Sequence, residues 1–201
     1  MARNPFAAWR SKENVWDVSD EALFAGYASG DPEAAAYFVD RFQQRVYGLA
    51  LAIVHTPVDA EEVAQEAFVR AWRFAASFDE RRGSVAAWLL GITRNVALDA
   101  VRGRGRRPEP VPEPVTDGRH AVDPIDVPGT VERRADAQRV VELMLSLPAP
   151  QRQALAAVTL GGLSTREVSE LAGIPQGTVK TRIRLALRKL RDEMGSEVPH
   201  A

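Results

Sequence analysis

Residues 164–190, "STREVSELAGIPQGTVKTRIRLALRKL", combine helix-capping signals with a dense run of cations. Ser164 followed three residues later by Glu167 is a capping box, which predicts a short helix over 165–172. Gly173 favours the left-handed conformation that ends such a helix, and Pro175 suits the start of the next one. Two short helices joined by a tight turn are typical of a helix-turn-helix unit that binds DNA.

The second helix of this unit carries the residue types that read a DNA groove. Its start offers small, amide and hydroxyl side chains for base edges, and its later turns offer cations for phosphates. The predicted contacts are Gln176, Gly177, Thr178, Lys180, Thr181, Arg184 and Arg188. The residues expected to face the protein are Val179, Ile183, Ala186, Leu187 and Leu190. A basic helix that closes a small bundle is the alternative, but the coincidence of cap, turn and cationic face favours DNA binding.

A second candidate site lies on the helix predicted to follow Ser84. Asn95, Asp99 and Arg102 recur at steps of four and three residues, so they share one outward face. The cations around this face are Arg94, Arg104, Arg106 and Arg107. A carboxamide, a carboxylate and a guanidinium in a basic field can hold an unpaired base and its phosphates. The same residues also describe a salt-bridged helix face with a basic tail, and the sequence alone leaves both readings open.

The segment 58–66, "VDAEEVAQE", is acidic and begins a helix predicted over about 58–76. The side chains expected outside are Asp59, Glu62, Gln65, Glu66, Arg70 and Arg73, and those expected inside are Val63, Ala67, Phe68, Ala71 and Trp72. Carboxylates on a solvated helix without partnering histidines do not predict a metal-dependent enzyme.

The remaining reactive residue types are few. The chain has no cysteine, which excludes disulfides, thiolate nucleophiles and cysteine-ligated zinc. His55, His120 and His200 lie far apart without carboxylates at ligand spacing, so they are interpreted as ordinary surface or packing residues. No catalytic residue, metal or cofactor is predicted.

Helical patterns dominate the rest of the chain. Helices are expected over about 20–28, 32–54, 58–76 and from Ser84 to about Arg102, with Asp31 as the N-cap of the second. The stripe expected to be buried on that helix is Phe38, Phe42, Val46, Leu49 and Ile53. Residues 103–130 contain six prolines and predict an extended linker or a mere spacer. Helical periodicity resumes near Val131, so the predicted fold is all-α, with two small helical domains joined by a proline-rich linker.

Composition agrees with a globular protein: 45% of the 201 residues are hydrophobic and 26% are charged. The net charge of −1 says nothing about nucleic acid, but two basic patches separated by an acidic spacer do need an explanation. No run approaches the roughly 20 apolar residues of a membrane span, and residues 1–20 lack a secretory apolar core. We therefore expect a cytoplasmic protein without membrane insertion.

Three segments together resemble one protein family. "DAEEVAQEAFVRAW", "GSVAAWLLGITRNVALDAVR" and "LSTREVSELAGIPQGTVKTRIRLALRKLR" look like the extracytoplasmic-function (ECF) class of bacterial RNA polymerase sigma factors. Their order also matches, with region 2, a linker and then region 4. The resemblance divides the chain into an N-terminal extension (1–18), region 2 (19–102), a flexible acidic linker (103–130), region 4 (131–194) and a tail (195–201).

The resemblance implies that the protein binds core RNA polymerase, reads the −35 and −10 promoter elements and helps to melt the −10 region. Asp59, Glu61, Glu62, Gln65 and Glu66 then match the segment that docks on the clamp helices of the largest polymerase subunit. The residues that match the −10 specificity loop and the promoter-melting helix are Phe78, Arg81, Arg94, Asn95, Asp99 and Arg102. The 176–188 helix matches the −35 reader, and the linker matches one that threads the polymerase channels.

The resemblance also implies an anti-sigma protein as a further partner. It assigns no role to residues 1–18, and the two adjacent arginines of "FDERRGS" make the base preference of the loop untransferable.

Three other functions remain as alternatives. A stand-alone two-domain regulator would need a dimerising surface and palindromic sites, and the sequence shows neither a ligand pocket nor an extra helix for dimerisation. A nucleic-acid enzyme would need clustered carboxylates or a nucleophile beside a base. A module that binds proteins through its acidic helix would use its basic ends only for solubility.

Overall fold

The computed structural model describes residues 18–104, 139 and 141–195, and these residues are helical with short connections. The first half contains α1 (Asp20–Ala28), α2 (Pro32–Val54), α3 (Pro57–Arg73) and α4 (Val85–Arg104), with short 3-10 turns at Ala75–Ser77 and Glu80–Arg82 between the last two. The second half contains α5 (141–146), α6 (Ala149–Thr159), α7 (Thr165–Ala172) and α8 (Gln176–Gly195). The predicted all-α fold class is confirmed.

The helices begin where the sequence provides an oxygen for their first amides. The Asp31 carboxylate accepts from the backbone N–H of Glu33 and Ala34, both at 2.9 Å, as its predicted N-cap role requires. Ser84 Oγ accepts from Ala87 N at 3.2 Å and starts α4. These caps fix where α2 and α4 enter the bundle.

The predicted stripe of α2 forms the centre of the core. Phe38, Phe42 and Val46 have no exposed surface, and Leu49 and Ile53 are at most 3% exposed. An aromatic cluster joins α1 to this stripe, since the Tyr27 and Phe38 rings stack at 4.5 Å between centroids. Tyr27 Oη also donates to the Phe68 carbonyl at 2.6 Å, and burial raises the pKa of Tyr27 to about 12. The bundle is therefore a rigid support for the faces of α3 and α4.

Three details of the predicted packing are wrong. Helix α3 ends at Arg73 rather than near Ala76, because a 3-10 turn follows it. The Trp72 side chain is 54% exposed, although it was expected inside. Phe68, also expected inside, is half-buried and packs against the core. Leu187 is 47% exposed, because the buried face of α8 follows 179, 183, 186 and 190, and position 187 lies about 100° from 186 around the helix.

Several predicted features lie outside the described residues. They are the extension up to residue 17, the linker from 105 onward, the first residues of the second half, the tail beyond 195, Arg106, Arg107, His120 and His200. In the part of the chain that the structure describes, no helix is long and apolar enough to cross a membrane, and no three potential metal ligands cluster.

Candidate nucleic-acid and protein interfaces

The helix-turn-helix unit has the predicted geometry at its turn. Ser164 Oγ accepts from the backbone N–H of Glu167 at 3.2 Å, and Glu167 Oε2 accepts from Ser164 N at 2.8 Å, which completes the capping box. Gly173 is left-handed with φ 65°, and α8 begins at Gln176 directly after Pro175. Gln176 Nε2 donates to Thr165 Oγ1 at 2.8 Å and so ties the start of α8 to the start of α7.

The residues of α8 that are predicted to read a DNA groove are almost all exposed. Gln176, Gly177, Lys180, Thr181, Arg184 and Arg188 are exposed, and Thr178 is half-buried. The Thr181 hydroxyl donates to the Gly177 carbonyl at 2.9 Å, which leaves its oxygen lone pairs on the outer face. Between residues 176 and 191 the sequence has no carboxylate, so the field on this face is positive.

A shallow groove of about 400 Å³ runs along the same face of α8. Its walls carry the cations Lys180, Arg184, Arg188 and Arg191, and its floor includes Ile183 and the exposed Leu187. Sequence reasoning missed Leu187 as a surface residue, although it lies three residues after Arg184 and four before Arg191 and so shares their side of the helix. The face combines charge for phosphates with an apolar strip that suits methyl groups of bases.

The outward face of α4 is also exposed. Asn95, Asp99 and Arg102 lie on it together, and Arg102 Nη1 pairs with Asp99 Oδ1 at 3.4 Å. This ion pair is solvent-exposed on both sides, so it adds little stability and leaves both groups available to a ligand. Arg94 lies half-buried on the adjoining side of the helix.

The loop before α4 is held by an aromatic anchor. The Phe78 ring is half-buried and packs edge-on against Phe24 and Trp88, with centroid distances of 5.2 and 5.6 Å. Asp79 Oδ1 accepts from Arg81 N at 3.0 Å, and the Arg81 side chain stays exposed. Phe78 thus fixes the root of the loop, while Arg81 and its neighbours form the exposed tip.

The acidic residues of α3 occupy one end of that helix. Glu61, Glu62 and Gln65 are exposed, while Asp59 and Glu66 are half-buried. Glu66 Oε1 accepts from Arg70 Nε at 2.7 Å. Asp59, Glu62 and Glu66 line one wall of a groove of about 470 Å³, whose opposite wall is α4. A basic helix or loop of a partner fits this groove by shape and by charge.

Sequence reasoning missed an apolar continuation of the acidic face. Val58, Val69 and Trp72 are 63%, 42% and 54% exposed. With Glu62 and Gln65 they recur at steps of three and four, so they form one stripe along the whole of α3. Single exposed apolar side chains are common on protein surfaces, whereas several in a row on one helix face mark a contact surface.

The comparisons with known proteins match both halves. Residues 38–107 match sigma-70 region 2, and residues 137–190 match sigma-70 region 4. The ECF RNA polymerase sigma factor SigK of Mycobacterium tuberculosis (strain H37Rv) is 36% identical over 176 residues, which cover 86% of this chain and 91% of the relative. The chain belongs to the ECF sigma factor family. SigK of Mycobacterium sp. (strain KMS) is 31% identical over 87% of this chain and 90% of its own length. This ECF sigma factor is therefore a transcription initiation factor that directs RNA polymerase to promoters.

Solved structures share the arrangement of this sigma factor. CnrH, in complex with the cytosolic domain of CnrY, is 25% identical with a TM-score of 0.62, covering 89% of this chain and 98% of that chain. The sigma factor RpoE from Bartonella quintana, in complex with the anti-sigma factor NepR, is 22% identical with a TM-score of 0.59, covering 80% and 98% of the two chains. The latter likeness concerns the fold alone.

Proposed function

We propose that this ECF sigma factor binds core RNA polymerase through the exposed stripe of α3 and reads its promoter with α4 and α8. The observation that carries the proposal is the presence of three exposed faces on one chain: an acidic and apolar face on α3, a polar face on α4 and a cationic face on α8. A regulator that binds DNA without polymerase does not need the acidic and apolar face of α3. A nucleic-acid enzyme needs a catalytic group in addition to the cationic face of α8.

The polymerase contact begins with Asp59, Glu61, Glu62, Gln65 and Glu66. Their carboxylates attract basic residues of the clamp helices and raise the association rate. The apolar end of the stripe, at Val69 and Trp72, supplies the affinity, because a large aromatic ring that becomes buried dominates interface energetics. The proposed contact therefore runs the length of α3 and into the groove against α4.

The −10 element is contacted by α4 and by the loop before it. Melting requires an extruded base to be captured, since unstacking costs a few kcal/mol that the protein must offset. Asn95 presents an amide for a base edge, while Arg94 and Arg102 hold phosphates and Asp99 orients Arg102. Phe78 anchors the loop and Arg81 lies at its tip, where it meets the unpaired strand.

The −35 element is read as duplex by α8. Gln176, Gly177, Thr178 and Thr181 approach base edges from the start of the helix. Lys180, Arg184 and Arg188 contact the phosphates, which fixes the register of the helix in the major groove.

Three further assignments follow from this function. The protein acts in the cytoplasm, where core polymerase and promoters are, and it initiates transcription without catalysis of its own. The 103–130 linker follows the polymerase channels between the two promoter readers. An anti-sigma protein covers the α3 or α8 faces, in line with the protein partner in the CnrH structure.

The test is run-off transcription from a pool of genomic promoter fragments with core polymerase, with and without this protein. Discrete protein-dependent transcripts are expected, and the sequences upstream of their starts give the −35 and −10 elements. Binding of DNA without polymerase, together with an absence of transcripts, would instead support a stand-alone regulator.

A further inference from the structure

One side-chain contact joins the starts of the two helices in the helix-turn-helix unit. Gln176, the first residue of α8, donates from Nε2 to Oγ1 of Thr165, the first residue of α7, at 2.8 Å. Gln176 is exposed and Thr165 is half-buried, so the amide is open to solvent while the hydroxyl supports it from one side. In the proposed function this end of α8 approaches the base edges of the −35 element.

The register of this contact is fixed by the turn between the helices. Val168 of α7 and Val179 of α8 are at most 3% exposed and pack in the core. The Ser169 hydroxyl donates to the Ile174 carbonyl at 2.6 Å, and the backbone N–H of Ile174 donates to the Ser169 carbonyl at 3.2 Å. The first turns of α7 and α8 therefore keep a constant separation.

Gln176 has the only carboxamide between residues 176 and 191. The cations of α8 can only donate hydrogen bonds, so they match bases that present acceptors, such as guanine. Adenine presents an acceptor, N7, beside a donor, the N6 amino group, and a carboxamide matches both with one N–H and one oxygen. Gln176 is therefore the side chain of α8 that suits adenine in the major groove.

The contact with Thr165 leaves Gln176 with the groups that adenine requires. A carboxamide has two N–H donors and one acceptor oxygen. Thr165 Oγ1 occupies one N–H, so Oε1 and the second N–H are left for a base. Position 177 is glycine, and a Cβ atom there would lie more than 4 Å from every residue outside its own stretch of helix. A base edge can thus approach the amide through open space.

The orientation of the amide agrees with the position of the phosphates. The first helix of a helix-turn-helix unit crosses the DNA backbone, which brings the Thr165 hydroxyl close to phosphate oxygens. Since phosphate oxygens accept hydrogen bonds, the hydroxyl proton suits a phosphate, and the hydroxyl oxygen is left to accept from Gln176. The reverse arrangement would use that proton on Gln176 Oε1 and turn lone pairs toward the phosphate. Bound DNA therefore favours the orientation that the structure shows.

We propose that Thr165 is a positioning residue for Gln176 and that the pair selects adenine at one position of the −35 element. This inference deepens the proposed reading of the −35 duplex by α8 and rests on it. Thr165 orders the amide before DNA binds, so less binding free energy is lost in ordering that side chain. The same contact prevents an amide flip, which would present two N–H donors to the groove and so favour guanine.

The test uses holoenzyme assembled from core polymerase and the full-length protein, on a promoter found by run-off transcription. Each base pair of its −35 element is replaced in turn by the other three, and the run-off product is measured. For the wild-type protein we expect one position at which adenine is favoured about tenfold or more. Gln176→Ala should abolish the preference at this position and leave the preferences at the other positions unchanged.

Thr165→Val removes the hydroxyl and keeps the shape of the side chain. It should reduce the adenine preference to about threefold or less, whereas Thr165→Ser, which keeps the hydroxyl, should retain it. Arg166→Ala changes the exposed neighbouring side chain without touching the hydroxyl, so it is the matched control and should keep the preference at every position. Because a preference is a ratio between templates, a general loss of stability in a variant does not alter it.

A chemical change in the DNA tests the same contact without relying on a variant that must fold. Replacement of the selected adenine by 7-deazaadenine removes the N7 acceptor. Transcription by the wild-type holoenzyme should then fall about fivefold or more, while transcription by the Gln176→Ala holoenzyme should not change.

An adenine preference that survives in Thr165→Val would overturn the positioning role and assign the hydroxyl to phosphate binding alone. A guanine preference that depends on Gln176 would overturn the orientation of the amide. If Gln176→Ala alters no preference, the pair does not read a base and the inference is wrong. An absence of transcripts from every template would instead overturn the proposed function, and this inference with it.

Discussion

At the residue scale, Trp72 is the side chain whose position changes the interpretation most. Its apolar neighbours in sequence suggested a core position, but its place in the stripe with Val58 and Val69 is solvent-facing. A large ring left 54% exposed on a rigid helix is ready to be buried by a partner.

We expect Trp72→Ala to weaken binding to core polymerase about tenfold or more while changing the free energy of unfolding by about 0.5 kcal/mol or less. The reason is that the ring contributes little to packing in the free protein. Polymerase titration and thermal unfolding measure the two quantities. Met194→Ala, which removes a similarly exposed apolar side chain from α8, is the control and should leave polymerase binding unchanged.

We expect His55 to make the stability of the folded protein depend on pH. Burial and the nearby Arg152 lower the pKa of His55 below its ordinary value of 6.5, because its Nε2 meets a guanidinium that only donates. Above pH 6.5 the ring is neutral in both folded and unfolded chains and contributes nothing. As the pH falls below 6.5, the unfolded chain binds a proton that the folded chain resists, so stability decreases.

We therefore expect the melting temperature of the wild-type protein to fall more between pH 7.5 and 5.5 than that of His55→Asn. Asparagine tolerates the left-handed backbone of this position, where φ is 72°, and does not titrate. Equal losses in the two proteins would assign the pH dependence to other groups.

At the element scale, α8 is a basic helix, and the salt dependence of DNA binding measures how many phosphate contacts it makes. Lys180→Ala/Arg184→Ala should weaken binding to −35 duplex and reduce the slope of log K against log salt by about 1.8, or about 0.9 for each lost phosphate contact. An Arg73→Ala/Arg82→Ala variant removes two exposed cations from region 2 and should keep the slope. An unchanged slope in the α8 variant would place the duplex on another face.

The elements are also where the sequence was most informative. Caps and breakers such as Asp31, Ser164 and Gly173 act on their own backbone, so their positions predicted α2 and α7 to the residue. It was harder to predict which side chains face inward. Trp72 and Leu187 each follow a buried residue directly, and only the 100° turn per residue of the helix places them outside. The packing of the second half on the first could not be predicted, since the Arg152–Ala52 and Ser84–Glu167 contacts join residues that are 100 and 83 positions apart.

At the scale of the whole molecule, buried residues of both halves belong to one hydrophobic core, which couples the stability of the two halves. We expect the wild-type protein to unfold in one cooperative calorimetric transition. Gly48→Leu places a side chain where Leu160 packs, so it should split this transition in two, with the second half melting first. Two transitions already present in the wild-type protein would show that each half is stable without the other.

Gly48 makes room for Leu160, but it also lowers the stability of α2 itself. Glycine inside a helix is about 1 kcal/mol less favourable than alanine, so α2 carries a local weakness at the point where it receives Leu160. Alanine at this position would strengthen the helix and at the same time press against region 4. Each 1.4 kcal/mol lost from the packing between the two halves raises the ratio of molecules without this packing to molecules with it tenfold. A single methyl group at position 48 therefore stabilises the helix of the first half and destabilises the packing of the second half on it.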